Sequence, residues 1–239
     1  MTVLLPMIFF GDKTDSASKI LPTVQGNAAF PCGHSVFGFA STLLFAQLLP
    51  EKYQAFMLRG AEYGNSRVTL DVHYALDVIG ARIMTTYILA QILNNNPDYL
   101  NQQINGLFGQ QMQTTGDFQQ LMLAAKEDLN GLLVRECQAK IAQCAAQDHT
   151  PTNQTNQTSA QERADYLWRL TYGLSPIGPT NLAPVVPIGA EALIAIRFPY
   201  LTAAQRREVL ATTEIESGQA LAQSDHRWIS TQGLRADLT

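Results

Sequence analysis

Ser66-Arg67-Val68-Thr69-Leu70-Asp71-Val72-His73-Tyr74-Ala75-Leu76-Asp77 is the stretch on which this chain turns. Asp77 follows His73 by four residues, so one helical turn brings a carboxylate back toward an imidazole. A carboxylate on one ring nitrogen sets the tautomer and leaves the other nitrogen as a nucleophile. Arg67 offers a planar fork of donors that matches phosphate oxygens, and Ser66 offers a hydroxyl beside it. Upstream, Pro31-Cys32-Gly33-His34 supplies a second imidazole, able to protonate a leaving oxygen, at the start of an apolar run. The N–H groups of a helix beginning at Gly33 would face an anion.

The apolar spacing on either side is helical. Val36, Phe37, Phe39, Ala40, Leu43, Leu44 and Leu48 predict a buried core helix that Pro50 ends. A second helix is expected over 51–63 with Tyr53, Phe56, Met57 and Ala61 inward and Gly64-Asn65 as its break. The motif at Ser66–His73 then falls in a loop that opens a third helix over 74–94. Residues 11–30 read as loop. Beyond 97, Phe118–Ala146 reads as one long helix with Leu121, Ala125, Leu129, Leu132, Leu133 and Ile141 facing inward. Residues 151–159 form a polar tract with incidental Asn-x-Thr sites at Asn153 and Asn156. Helices follow at 162–174, 190–198 and 202–212, around an extended Pro/Gly-rich segment at 176–187. Tyr166, Trp168 and Tyr172 read as a core stripe sharing a helix with Arg169. The fold class is all-α. The expected organisation is a core over 1–97, an amphipathic helical region over 98–150, a polar linker over 151–160 and a C-terminal helical region over 161–239.

Pro-Cys-Gly-His and Ser-Arg-x5-His-x3-Asp, in that order with residues 35–65 between them, resemble the second and third motifs of the PAP2 phosphatase superfamily. Residues 5–12 and 59–67 further resemble flanking segments of the bacterial class A non-specific acid phosphatases. The resemblance spans roughly residues 5–95. It implies a PAP2-type helical bundle with additional C-terminal helices. It also implies hydrolysis of phosphomonoesters through a phosphohistidine on His73, with Asp77 orienting that ring and His34 as general acid. Ser66, Arg67, Gly33 and Cys32 would contact the phosphate. No metal and no cofactor are implied, vanadate would act as a phosphate analogue, and the location would be periplasmic or secreted.

The chain departs from the family pattern in two ways. The first motif of the family carries a lysine and Arg-Pro; here Leu5 precedes Pro6, no arginine occurs before Arg59, and Lys13 and Lys19 lie downstream. Cys32 replaces the usual serine, and a thiol donates a weaker hydrogen bond than a hydroxyl. The expectation is a chain lacking its N-terminal part, or a diverged homologue, with impaired activity. A non-catalytic phosphate-binding pseudoenzyme and, behind it, a vanadium-dependent haloperoxidase remain as alternatives.

Composition bounds the partners. Net charge is −4 with no large Lys/Arg cluster, which argues against nucleic acid. Hydrophobic residues make up 46% and charged residues 15%, enough for a core. No run reads as a membrane span, since 36–49 is short and 78–93 is interrupted by Arg82 and Gln91. Residues 1–10 lack the features of a signal peptide. Homo-oligomerisation is left open. His149 and His226 read as exposed. Cys137 and Cys144 would stand about 10 Å apart along an unbroken helix, so free thiols are expected unless a turn intervenes.

Overall fold

The structure is a computed structural model that describes residues 28–105, 109–146 and 159–221. The expectations for residues 11–27, Lys13, Lys19, His149, Asn153, Asn156 and His226 lie outside the described residues. Helices dominate: α1 Gly33–Leu48, α2 Tyr53–Thr69, α3 Ala75–Leu93, α4 Phe118–Cys137, α5 Ile141–Ala146, α6 Ser159–Thr171 and α7 Ala203–Thr212. Short 3-10 turns occupy Pro50–Lys52 and Ala190–Ile194. The fold is all-α, with one small antiparallel hairpin, β1 Gln103–Asn105 and β2 Gln111–Gln113, that periodicity did not suggest. Three-residue, fully exposed strands carry no apolar alternation to read.

The first three helices pack closely because glycines line their crossing. A Cβ on Gly60 would meet Thr42, and one on Gly64 would meet Val78 and Phe39. Gly64 therefore serves packing. It does not break the helix at 63, as the sequence suggested, and α2 continues through Gly64-Asn65 to Thr69. Ser66 and Arg67 consequently lie in the last helical turn instead of a loop. Phe39, Leu43, Tyr53, Met57 and Ala61 are buried as expected, whereas Phe37 is 70% exposed.

Helix α3 is the one described helix long and apolar enough to cross a membrane, and 56% of that window is buried inside the protein. It is the core helix. Arg82, in its middle, is also buried, and its guanidinium donates to the carbonyls of Arg169 (3.1 Å) and Leu170 (2.7 Å). These are orphan carbonyls of the last turn of α6, so a cation caps that helix end from inside the core. Burial pulls the Arg82 pKa below its ordinary value. Burial likewise pushes Tyr166 and Tyr172 up to about 12, against the opposing pull of Arg82.

One core joins both sections of the chain. Leu43, Ala46, Met57, Ala61, Leu89 and Ala90 pack with Tyr166, Leu170, Ala190, Leu193, Ile194 and Leu210. Gln47 and Tyr53 both donate to the Leu193 carbonyl, at 2.8 and 3.3 Å. Thr202 and Gln205 form the capping box that starts α7. Trp168, expected in the core stripe, is 54% exposed, while Tyr166 on the same helix is buried.

The region 118–146 corrects the sequence reading most. It is two helices, because Gln138 adopts a left-handed conformation at φ 55° that ends α4. The turn brings the Cys137 and Cys144 Cα atoms to 6.1 Å, and the two thiols are joined as a disulfide instead of being free. No residue of α4 is buried, and Leu121 and Leu132, expected inward, are exposed.

Candidate active site

The site forms where the start of α1 meets the α2–α3 connection. Cys32 is the N-cap of α1 and is fully buried. Its Sγ accepts from the Ser35 N–H at 3.3 Å and from the Ser35 hydroxyl at 3.1 Å. Its own N–H donates to the Asp77 carbonyl at 3.0 Å, so the first turns of α1 and α3 are tied through backbone. Gly33 is exposed, and a Cβ there would meet nothing within 4 Å. Of the first N–H groups of α1, that of Ser35 is taken by Cys32 Sγ, and those of exposed Gly33 and His34 have no helical carbonyl to receive them.

His73 precedes α3, and its Nδ1 lies 3.2 Å from Asp77 Oδ2. The same carboxylate oxygen accepts the Tyr74 N–H at 2.9 Å. Asp77 thus closes the N-terminus of α3 and orients His73 with one oxygen, and both jobs follow from its place in the first helical turn. With Nδ1 engaged, Nε2 is the nitrogen left for chemistry. The rings of His34 and His73 stand 6.1 Å apart at 66°. His34 is exposed, while the His73 side chain is only 13% exposed.

A nitrogen of His73 and the Cys32 sulfur lie within 4.8 Å, and each group shifts the other's proton affinity. The His73 pKa is raised, first by the hydrogen bond to Cys32, against burial, with Asp77 adding to the rise. Burial alone would raise the Cys32 thiol, but its hydrogen bonds with His73 and Ser35 outweigh that and hold it below its ordinary value.

The Arg67 carbonyl accepts the His73 N–H at 3.2 Å, which fixes the connection between α2 and α3. Its guanidinium donates to Ser66 Oγ through Nε (3.1 Å) and Nη2 (2.9 Å) and lies over the Tyr63 ring at 5.0 Å. Ser66 in turn donates to the Tyr63 carbonyl at 2.6 Å. In this state the serine hydrogen is committed to the helix, and the serine oxygen positions Arg67. Tyr63 fits because Gly38 has no side chain: a Cβ there would stand 2.4 Å from the ring. Ser35, Tyr63 and Gly38 escaped the sequence reading. Ser35 stands three residues after an N-cap and Tyr63 four before Arg67, the spacings at which helical neighbours touch, so both were open to detection. Gly38 gave no such signal.

Residues 7–98 match the model of the PAP2 superfamily. This segment is similar to the PAP2 superfamily. It holds both motifs and all seven of the residues singled out above as catalytic or phosphate-binding. Over 97 residues the chain is 34% identical to a non-specific acid phosphatase of Providencia stuartii, covering 41% of this chain and 38% of that protein. Over 122 residues it is 27% identical to a non-specific acid phosphatase of Salmonella typhimurium, covering 50% of this chain and 41% of that protein. The chain therefore spans well under half the length of these curated relatives. No solved structure matches.

Proposed function

We propose that the PAP2 segment builds a phosphomonoester hydrolase of the acid phosphatase type, working in the periplasm or outside the cell. The observation that carries this is the Asp77–His73 pair at 3.2 Å with a second imidazole beside it. His73 Nε2 attacks phosphorus and the bond to the leaving oxygen breaks. His34 passes its proton to that oxygen. A water then attacks the phosphohistidine, giving its proton back to His34, and phosphate leaves with both imidazoles restored. Arg67, Gly33 and the first N–H groups of α1 hold the non-bridging oxygens. Ser66 acts by positioning Arg67, and Cys32 occupies the floor.

The deciding experiment is hydrolysis of p-nitrophenyl phosphate with acid quench of the reaction. The parent chain should yield a trapped phosphohistidine, and His73→Ala should lose both the adduct and turnover while keeping its helical circular dichroism. Turnover without any histidine adduct would refute the mechanism. Abolition by a chelator, with recovery on zinc addition, would refute it too.

A second reading, phosphate binding without turnover, draws on two observations. The interaction with Cys32 raises the His73 pKa, a shift that favours the protonated ring over the neutral nucleophile. In addition, no arginine precedes Arg59 in this sequence. Each missing preorganised donor costs about 10²–10³ in rate. The 239-residue chain by itself should therefore turn over well below an ordinary enzyme's rate of about 10 s⁻¹. A full ordinary rate would dismiss this second reading.

A further inference from the structure

The site contains one atom that phosphoryl transfer has no use for, the Cys32 sulfur. Its surroundings make it a ligand. Cys32 Sγ, a nitrogen of His34 and a nitrogen of His73 lie within 4.8 Å of one another. Thiolate sulfur and imidazole nitrogen are the donors zinc takes most readily, at about 2.3 and 2.0–2.1 Å. Tetrahedral ligands at those lengths stand roughly 3.5 Å apart, so small side-chain rotations close the set. The outer contacts are already in place. Asp77 holds Nδ1 of His73 at 3.2 Å, which turns Nε2 outward as in carboxylate–histidine–zinc arrangements. Ser35 gives Sγ two hydrogen bonds, at 3.3 and 3.1 Å, which support a thiolate. His34 is exposed, leaving a side open for a fourth, water ligand.

We propose that Cys32, His34 and His73 form a binding site for a divalent transition-metal ion, zinc by preference, in the space a phosphoryl group would occupy. On binding, the Cys32 thiol gives its proton to solvent. The sulfur and two neutral imidazole nitrogens each donate an electron pair to the ion, and water completes the shell. No electron is transferred. The metal engages the nitrogen that would attack and the nitrogen that would carry the proton, so metal and phosphate exclude each other. Metal binding stands on the geometry alone, whereas inhibition of turnover rests on the phosphatase reading.

The test uses Co²⁺ as a spectroscopic substitute on the full chain, with Zn²⁺ as competitor. The chain has three cysteines, and Cys137 and Cys144 are bonded to each other, so a thiolate-to-cobalt charge-transfer band reports Cys32 alone. One Co²⁺ should bind with that band and with intense tetrahedral visible bands, both lost when Zn²⁺ is added. Cys32→Ser should lose the charge-transfer band and weaken Zn²⁺ binding by more than about 100-fold, beyond the cost of losing an outer-shell partner. His34→Gln, altered at an exposed ring and so keeping the fold, should weaken it comparably. Asp77→Asn should weaken it by about 10–100-fold. The His149→Gln/His226→Gln double variant should bind as the parent does. Inorganic phosphate should displace Co²⁺. Cobalt bound without a thiolate band, or unchanged affinity in Cys32→Ser and His34→Gln, would overturn the site. Simultaneous binding of phosphate and Co²⁺ would overturn the exclusion. Tight metal binding in a chain with no phosphatase activity would uphold the site and sink the phosphatase reading, so the two can fail separately.

Discussion

Helices α3 and α4 have nearly the same length, 19 and 20 residues, and opposite fates. Helix α3 is buried on several sides, carries Asp77 at its start and takes Arg82 into the core. Helix α4 buries no residue and leaves Leu121, Leu123, Leu132 and Val134 at least 43% exposed. Both show apolar residues at helical spacing. The difference is that α1, α2, α6 and the 3-10 turn at Ala190–Ile194 all pack on α3, whereas the neighbours of α4 leave every one of its residues at least partly exposed. Apolar spacing reports that a helix can be covered; only neighbours decide whether it is.

Substitutions test this contrast in descending order of effect. The largest should come from Arg82→Ala, which leaves the Arg169 and Leu170 carbonyls unbonded and opens a cavity. The loss should be about 3–5 kcal/mol by urea denaturation, and Arg82→Met, which keeps most of the volume, should lose less. A loss below about 1 kcal/mol would mean that α3 is not the buried pillar described here.

Cys137→Ser/Cys144→Ser opens a small loop at the end of α4. Chain entropy sets its cost at about 2.5 kcal/mol. Because the bridge lies in the peripheral pair, phosphatase turnover should not change; a drop in turnover would show that α4 and α5 support the site.

Cys32→Ser sharpens the other end of the contrast, where α3 begins. In the proposed mechanism His73 attacks as the neutral imidazole, so activity should rise as pH climbs through its raised pKa. Removing the first cause of that rise should lower the pKa and move the acid limb of kcat/KM to lower pH, measured with a chelator present. A limb that stays in place or moves up would separate Cys32 from the nucleophile.

The smallest effect belongs to Leu123→Gln on the exposed face of α4. It should fall within about 0.5 kcal/mol, and a loss several times larger would reveal a covering partner for that face.

Much of the site was legible in the order of residues because its geometry is local. Four residues bring Asp77 to His73, a helix start sets Cys32 and Gly33, and Arg67 reaches His73 through one short connection. The helical class and the first and third helices were legible too, since dense apolar spacing bounded by Pro and Asn leaves few alternatives. What was not legible depended on contacts distant in the chain. Gly64 read as a breaker because the sequence cannot show Val78 and Phe39 pressing on it. Arg82 read as an interruption because its partners, the Arg169 and Leu170 carbonyls, lie 87 and 88 residues away.

By itself the sequence determined the two motifs, their order, the all-α class and the Asp77–His73 pairing, because short spacing along a helix converts directly into distance. The tertiary structure alone decided that the thiol of Cys32 stands beside His34 and His73, that Gly38 makes room for the ring beneath Arg67, and that Leu193, Ile194 and Leu210 complete the core. It also decided that Cys137 meets Cys144 across a turn at Gln138. The physical reason is the same in each case: burial and close approach belong to pairs of surfaces, and one strand of letters shows only one surface at a time.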